Sequence, residues 1–454
     1  MSDSIEHWLA AADAGQQQFE RQDTLLSLLA SLQAFGKSQM DFFLQGLAED
    51  PSYRLEPSAR YPWEYVFRTT VDQIGFDMDV LLRAAQQRMS SLMSKKLLAT
   101  LDLADRLGYL ALQPAFDHGL IDRRTAVVTY FQKAVNVRLT PYAPVTLIGI
   151  PFSAVDSPRD LLAIPHEVGH FVFREGRIRS GRFADSRFSA ALYSRFAYQP
   201  AWFSDWLEEI FADVYGCLVA GPAIALSFIE LVTDDPVDDF VKQDHEHPAP
   251  AVRPQGYFST LQRMGMYDNA LQRIEDHWQE LFDERGAPDE LHLPDEEEPF
   301  SIHEILEDID GKVVEMLLQE QFLGGLLPEQ DDATHSLWSK ELQPDEPLEA
   351  LYASYKEFID TVTPQSTPIP GLRRRPNGQM QLVMPGRGGN GPSADGPVQR
   401  LGATGLLIDA IKASAKTAAG QGDPVFAVPP DIWAVILDAG GWATEGPGGG
   451  NLHS

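Results

Sequence analysis

The sequence predicts a mainly α (α+β) protein. Three observations carry this expectation. Apolar residues recur at helical spacing through most of the chain, one short interval is rich in β-branched and aromatic residues, and a late stretch is dominated by Pro, Gly and small polar residues.

In chain order, residues 1–122 form an N-terminal helical region, with helical spacing in "DTLLSLLASLQAFGKSQMDFFLQGL" and "FDMDVLLRAAQQRMSSLMSKKLLATLDLADRLGYL". The texture changes at 123. "RTAVVTYFQ", "AVNVRLT" and "PVTLIGIPF" read as short strands between turn formers. "SPRD" follows as a helix start, with Ser157 as N-cap, Pro158 in the first turn and Asp160 three residues after the cap. Pro165 either kinks that helix or marks its first turn. Helices are expected again over 203–219, 222–232, 257–282, 301–322 and 346–361, with "APDELHLPDEEEPF" as a solvated acidic loop. This gives a core at 123–265, a helical continuation at 266–362, a flexible linker at 363–400, and short C-terminal segments with a tail at 401–454.

Composition excludes several classes. The 454 residues carry 36 basic and 66 acidic side chains, a net charge of −30. No basic face is concentrated anywhere, which argues against nucleic acid or an anionic membrane as partner. The single cysteine, Cys217, allows neither an intramolecular disulfide nor a cysteine-based zinc site, and reads as a packing residue. The longest apolar stretch, "CLVAGPAIALSFIELV", is interrupted by Gly221-Pro222 and carries Glu230, so no membrane span is expected. The N-terminus shows no basic start followed by an apolar run, and a cytoplasmic location is expected.

The chemistry concentrates in "RDLLAIPHEVGHFVF", residues 159–173. Residues four apart lie on one face of a helix, so His166 and His170 can aim their rings at one ion. Glu167 sits one step round, placed to take a proton from a zinc-activated water. The plain alternative is a structural helix with two satisfied histidines.

Catalytic zinc needs a third protein ligand. The metzincin pattern would put Gly at 173 and His at 176, where Phe173 and Gly176 stand. Thermolysin-like spacing would put Glu within 190–195, where the chain reads "AALYSR". "WFSDWLEEIFADVYGCLVAG", residues 202–221, serves better. Phe203, Leu207, Ile210, Phe211, Val214 and Leu218 make its apolar face, and Trp202 and Trp206 read as core. Asp205, Glu209, Ala212, Asp213, Gly216 and Ala220 make a face of small side chains and carboxylates, which lets another helix approach closely. Glu209 can then supply the third ligand, and Asp213 can accept the spare ring proton of a ligand histidine. Glu208 is the alternative ligand, further round on the side expected to be exposed.

His-Glu-x-x-His followed by Glu-x-x-Ala-Asp-x-x-Gly resembles the gluzincin metallopeptidases, especially the CAAX prenyl protease and bacterial heat-shock metallopeptidase group. "HEHPAPAVRP" agrees, with His247-Pro248 and Arg253 six residues after His247. The resemblance covers 164–253 and implies a zincin-like domain. It implies Zn2+ on His166, His170 and Glu209, Glu167 as general base, Asp213 behind a ligand, and active-site roles for His247 and Arg253. The chain departs from the group in having no transmembrane helices, so substrate class is not carried over.

The expectation is a soluble zinc-dependent metalloendopeptidase acting on a protein or peptide, with a small sheet beside the zinc-binding helix. "PVTLIGIPF" is either a substrate-aligning edge strand or a buried core strand. His247 is expected to stabilise the developing oxyanion, and Arg253 to anchor its loop against Asp213. The alternatives are a zinc amidohydrolase for a non-peptide amide, or an inactive zincin-like scaffold whose C-terminal segments dock a partner.

Overall fold

The computed structural model describes residues 21–41, 43, 63–88, 93–133, 136–140, 143–178, 184, 186–233, 236–242, 246–293, 298–328, 338, 341–375 and 380–383. The segments expected at 401–454, all of the 384–400 stretch and His245 lie outside them. The fold is mainly helical with small sheets. Among the described residues no helix is long and apolar enough to cross a membrane.

The helices are α1 (Gln22–Asp41), α2 (Trp63–Gln86), α3 (Lys95–Asp117), α4 (Ile164–Glu175), α5 (Phe188–Phe196), α6 (Ala201–Asp205), α7 (Leu207–Ala220), α8 (Pro222–Thr233), α9 (Pro254–Met264), α10 (Asp268–Glu284), α11 (Ile302–Asp308), α12 (Glu315–Leu317) and α13 (Ala350–Thr361). The strands are β1 (Ala126–Gln132), β2 (Asn136–Leu139), β3 (Val145–Pro151), β4 (Glu290–Leu291), β5 (Phe300–Ser301), β6 (Gly371–Arg374) and β7 (Met380–Val383). The sequence spacing overran two breaks. The 257–282 helix is divided where Gly265 turns left-handed at φ 65°, a conformation that ends helices and suits glycine. The 301–322 helix contains a π-helical turn at Ile309–Val314.

The chain divides into two units, one of 1–98, 138–147 and 369–454, the other of 99–137 and 148–368. The first boundary falls inside α3, not at 122. From Ala99 onward α3 belongs with β1: the Thr129 amide and hydroxyl donate to Asp105 Oδ1 at 2.7 and 2.8 Å. Gly108 is the point of closest approach, since a Cβ there would stand 2.8 Å from Val127 Cγ1.

In the first unit, α1 buries Leu25, Leu28, Leu29 and Leu32, one stripe at helical spacing. Part of its cover is a hairpin of β6 and β7, paired antiparallel with Leu372 opposite Leu382. The Leu372 amide donates to Thr24 Oγ1 at 3.0 Å, and Arg373 pairs with Asp23 at 2.6 Å. The linker expected over 363–400 is therefore ordered structure at 371–374 and 380–383.

β1 and β3 are neighbours in a sheet of order β1-β3-β2. β3 is the central strand, and Val145–Ile150 are all buried. The substrate-aligning edge-strand reading fails here: β1 and β2 already occupy both sides of β3. After β3 the chain turns through a 3₁₀ segment, Pro158–Ala163, into α4.

Candidate metal centre

α4 begins later than "SPRD" suggested. The Ser157 hydroxyl donates to Asp160 Oδ1 at 2.8 Å instead of capping an α-helix, and the turn that follows is 3₁₀. Pro165 stands in the first turn of α4, where its missing N–H costs no helical hydrogen bond. His166, His170 and Arg174 then follow at intervals of four on one face.

The helix expected over 203–219 arrives as α6 and α7, with Trp206 at the junction. Trp202, Phe203, Trp206, Leu207, Phe211 and Val214 are buried, and Phe211 packs against Phe173 and Phe188. The Tyr215 hydroxyl donates to the Ala111 carbonyl at 2.7 Å and ties α7 to α3. The small-residue face of α7 meets α4 almost backbone to backbone. A Cβ on Gly169 would lie 2.7 Å from Ala212 Cα, and one on Gly216 would lie 3.2 Å from the His166 nitrogen. Gly169→Ala must push the two helices apart. It should cost about 1–3 kcal/mol, as overpacking typically does, and weaken metal uptake with every ligand intact. Unfolding and metal titrations on the variant check both.

That close packing brings three donors around one point. His166 Nε2 and His170 Nε2 face each other at 3.1 Å. Glu209 Oε2 is 3.4 Å from the first and Oε1 is 3.4 Å from the second. The ligand atoms of His166, His170 and Glu209 all lie within 4.8 Å of one another, a group able to hold a metal ion. The donor set fits: tetrahedral coordination with metal–donor bonds of 2.0–2.2 Å places donors about 3.4 Å apart. The side chains are recessed, with His166 14 %, His170 13 % and Glu209 10 % exposed.

Around the donors lies a charged frame. His166 Nδ1 is 2.9 Å from Asp213 Oδ1, an ionic contact not aligned as a straight hydrogen bond. Arg253 donates from Nε to Asp213 Oδ2 at 2.9 Å, and from Nη2 to Asp213 Oδ1 at 3.0 Å and Glu209 Oε2 at 2.8 Å. The Tyr257 hydroxyl donates to Asp213 Oδ1 at 2.6 Å, and the Arg253 guanidinium lies 4.9 Å above the Phe228 ring. Glu208 is not on an exposed side: Arg174 Nε donates to its Oε1 at 2.6 Å, and His170 Nδ1 lies 3.1 Å from the same oxygen.

The acids split by environment. Burial raises Glu167, only partly offset by the His170 and His166 rings. Burial works the same way on Glu209, but His170 and Arg253 outweigh it and hold that carboxyl well below its ordinary value. Asp213 is lowered against burial by Arg253 and His166. Burial would lower His166, yet Asp213 and Glu209 together push it up to about 10.

The proton on His166 therefore competes with a metal. Apparent metal affinity should rise with pH by about tenfold per unit for the one proton displaced, levelling near pH 10, the value His166 reaches. The raised value also stabilises the metal-free fold, fully below the unfolded value of about 6.5 and progressively less as pH climbs towards 10. Chelator competition and thermal unfolding of the metal-free protein across this window test the two signs.

Of the residues singled out from sequence, His166, His170, Glu209, Asp213 and Arg253 lie together. Glu167 is buried within their electrostatic reach. His247 Nε2 is 3.5 Å from Glu209 Oε1 with its side chain 48 % exposed, the solvent-facing member of the group. Cys217 is buried beside them, with Sγ 3.8 Å from the Tyr257 carbonyl oxygen. Sequence reasoning missed Arg174 and Tyr257. Both follow a residue already singled out, His170 and Arg253, by four positions. No protein-family model, curated protein or solved structure matches this chain.

Proposed function

We propose that the protein is a zinc-dependent metalloendopeptidase of gluzincin type, hydrolysing a protein or peptide substrate. The observation that carries this reading is the convergence of two imidazole Nε2 atoms and one carboxylate. Two imidazole nitrogens and a carboxylate at that separation could hold a cation between them once His166 gives up its proton. His166, His170 and Glu209 would hold it. Zinc fits this two-nitrogen, one-oxygen donor set, and when bound it would supply a Lewis acid that polarises a carbonyl and acidifies water.

The chain's own residues then divide the work. Glu167, buried on the ligand helix and raised by that burial, accepts the proton of the attacking water and passes it to the leaving amine. Asp213 orients His166, and Arg253 holds both Asp213 and Glu209 in place. His247, at the open side of Glu209, is positioned to donate to the oxygen on which negative charge develops. His247→Ala should lower turnover by about 10²–10³-fold, the usual cost of losing one such donor, with zinc content intact. Equal turnover on one defined peptide removes His247 from this role.

The reading as a whole is tested by incubating zinc-loaded protein with a proteome and mapping new N-termini against a Glu167→Gln control. New termini present only with the unsubstituted protein support it. Identical maps refute it.

A further inference from the structure

We infer that Glu208, held by Arg174, is a positioning residue for His170. In this arrangement it fixes the tautomer that presents Nε2 to the metal. The inference rests on the metal site proposed above and adds to it a second imidazole–carboxylate–guanidinium chain.

Each histidine has a carboxylate paired to a guanidinium beside its Nδ1, hydrogen-bonded at His170 and an unaligned ionic contact at His166. His166 Nδ1 lies 2.9 Å from Asp213, which accepts from Arg253 Nε at 2.9 Å. His170 Nδ1 lies 3.1 Å from Glu208 Oε1, which accepts from Arg174 Nε at 2.6 Å. A neutral imidazole carries its hydrogen on one nitrogen. A carboxylate at Nδ1 draws the hydrogen there and leaves the lone pair on Nε2. That Nε2 is the atom 3.1 Å from His166 Nε2 and 3.4 Å from Glu209.

The same geometry removes Glu208 as a ligand. Its oxygen addresses the ring nitrogen turned away from the donor cluster, and the cluster itself contains only Glu209 of the two neighbouring acids. Nor does Glu208 resemble a surface ion-pair residue. Its side chain is 15 % exposed, and one oxygen serves both the imidazole and the guanidinium. The supporting groups come from adjoining turns. Arg174 is one turn beyond His170 on α4, and Glu208 immediately precedes the ligand Glu209 on α7. Setting one ligand therefore sets the orientation of another.

The test is a zinc titration against a chromogenic chelator for wild type, Glu208→Ala, Glu208→Gln and Arg174→Ala. Ring ¹⁵N shifts of the histidine-labelled, zinc-loaded proteins report the tautomer. Glu208→Ala should weaken zinc by about 10–100-fold, the usual loss when such a partner is removed. Glu208→Gln keeps size and an acceptor but not charge, and should fall between it and wild type, as should Arg174→Ala. The His170 Nδ1–H signature should be clear in wild type and degraded in Glu208→Ala. If Glu208→Ala does not fold, Glu208→Gln decides by the same two readouts. A purely bracing ion pair would lower the unfolding temperature of the metal-free variants and leave zinc affinity unchanged. Affinity within twofold of a zinc-binding wild type overturns the inference alone. A wild type that takes up no zinc overturns the metal site and the inference with it.

Discussion

Glu167→Gln should retain zinc and fold yet lose hydrolysis by about 10²–10⁴-fold, the range for a removed general base. The amide has the size of the carboxylate and fills the same buried position, so packing beside His166 and His170 is preserved. What disappears is the ability to accept a proton and return it. Burial already raises the Glu167 carboxyl above its ordinary value, against the pull of the His170 and His166 rings. The measurement is turnover of one peptide together with metal content by elemental analysis. Turnover near that of the unsubstituted protein would remove Glu167 as the general base.

Arg253→Met should be the most damaging substitution for stability. The guanidinium is 13 % exposed and is shared between Asp213 and Glu209. Methionine keeps much of the volume against Phe228 but leaves Asp213 and Glu209 without the guanidinium they share, with only His166 as a cation beside them. Breaking a buried pair in this way typically costs about 3–5 kcal/mol. The metal-free variant should bear the full loss and the zinc-loaded variant less, because a cation then faces Glu209. Urea unfolding with and without zinc separates the two states. A loss below about 1 kcal/mol in the metal-free protein, against the 3–5 expected for a buried pair, would mean that the guanidinium is not what neutralises this frame.

Local periodicity made part of this site legible before any coordinates. Histidines four apart on one helix, and an acid face on a second, follow from spacing alone, and they favoured Glu209 over Glu208. The error over Glu208 has the same origin. One helix viewed alone shows which face is apolar, not which residue of another helix will cover the remainder, and Arg174 covers Glu208. Arg253 reaching Asp213 across 40 positions was expected from the family resemblance and not from spacing, whereas β2 pairing beside β3 depends on long-range contacts that no spacing rule encodes. The β6–β7 hairpin was not legible, because the Pro and Gly around its two short strands point to a linker and its pairing is fixed only by contact with α1.

The three strips of sequence that build the charged frame lie far apart, on α4, on α7 and at the start of α9. A chain ending anywhere between residues 209 and 253 would carry both histidines and Glu209 but not the guanidinium that pairs with Glu209 and Asp213. The charged frame is therefore complete only once the start of α9 has been made.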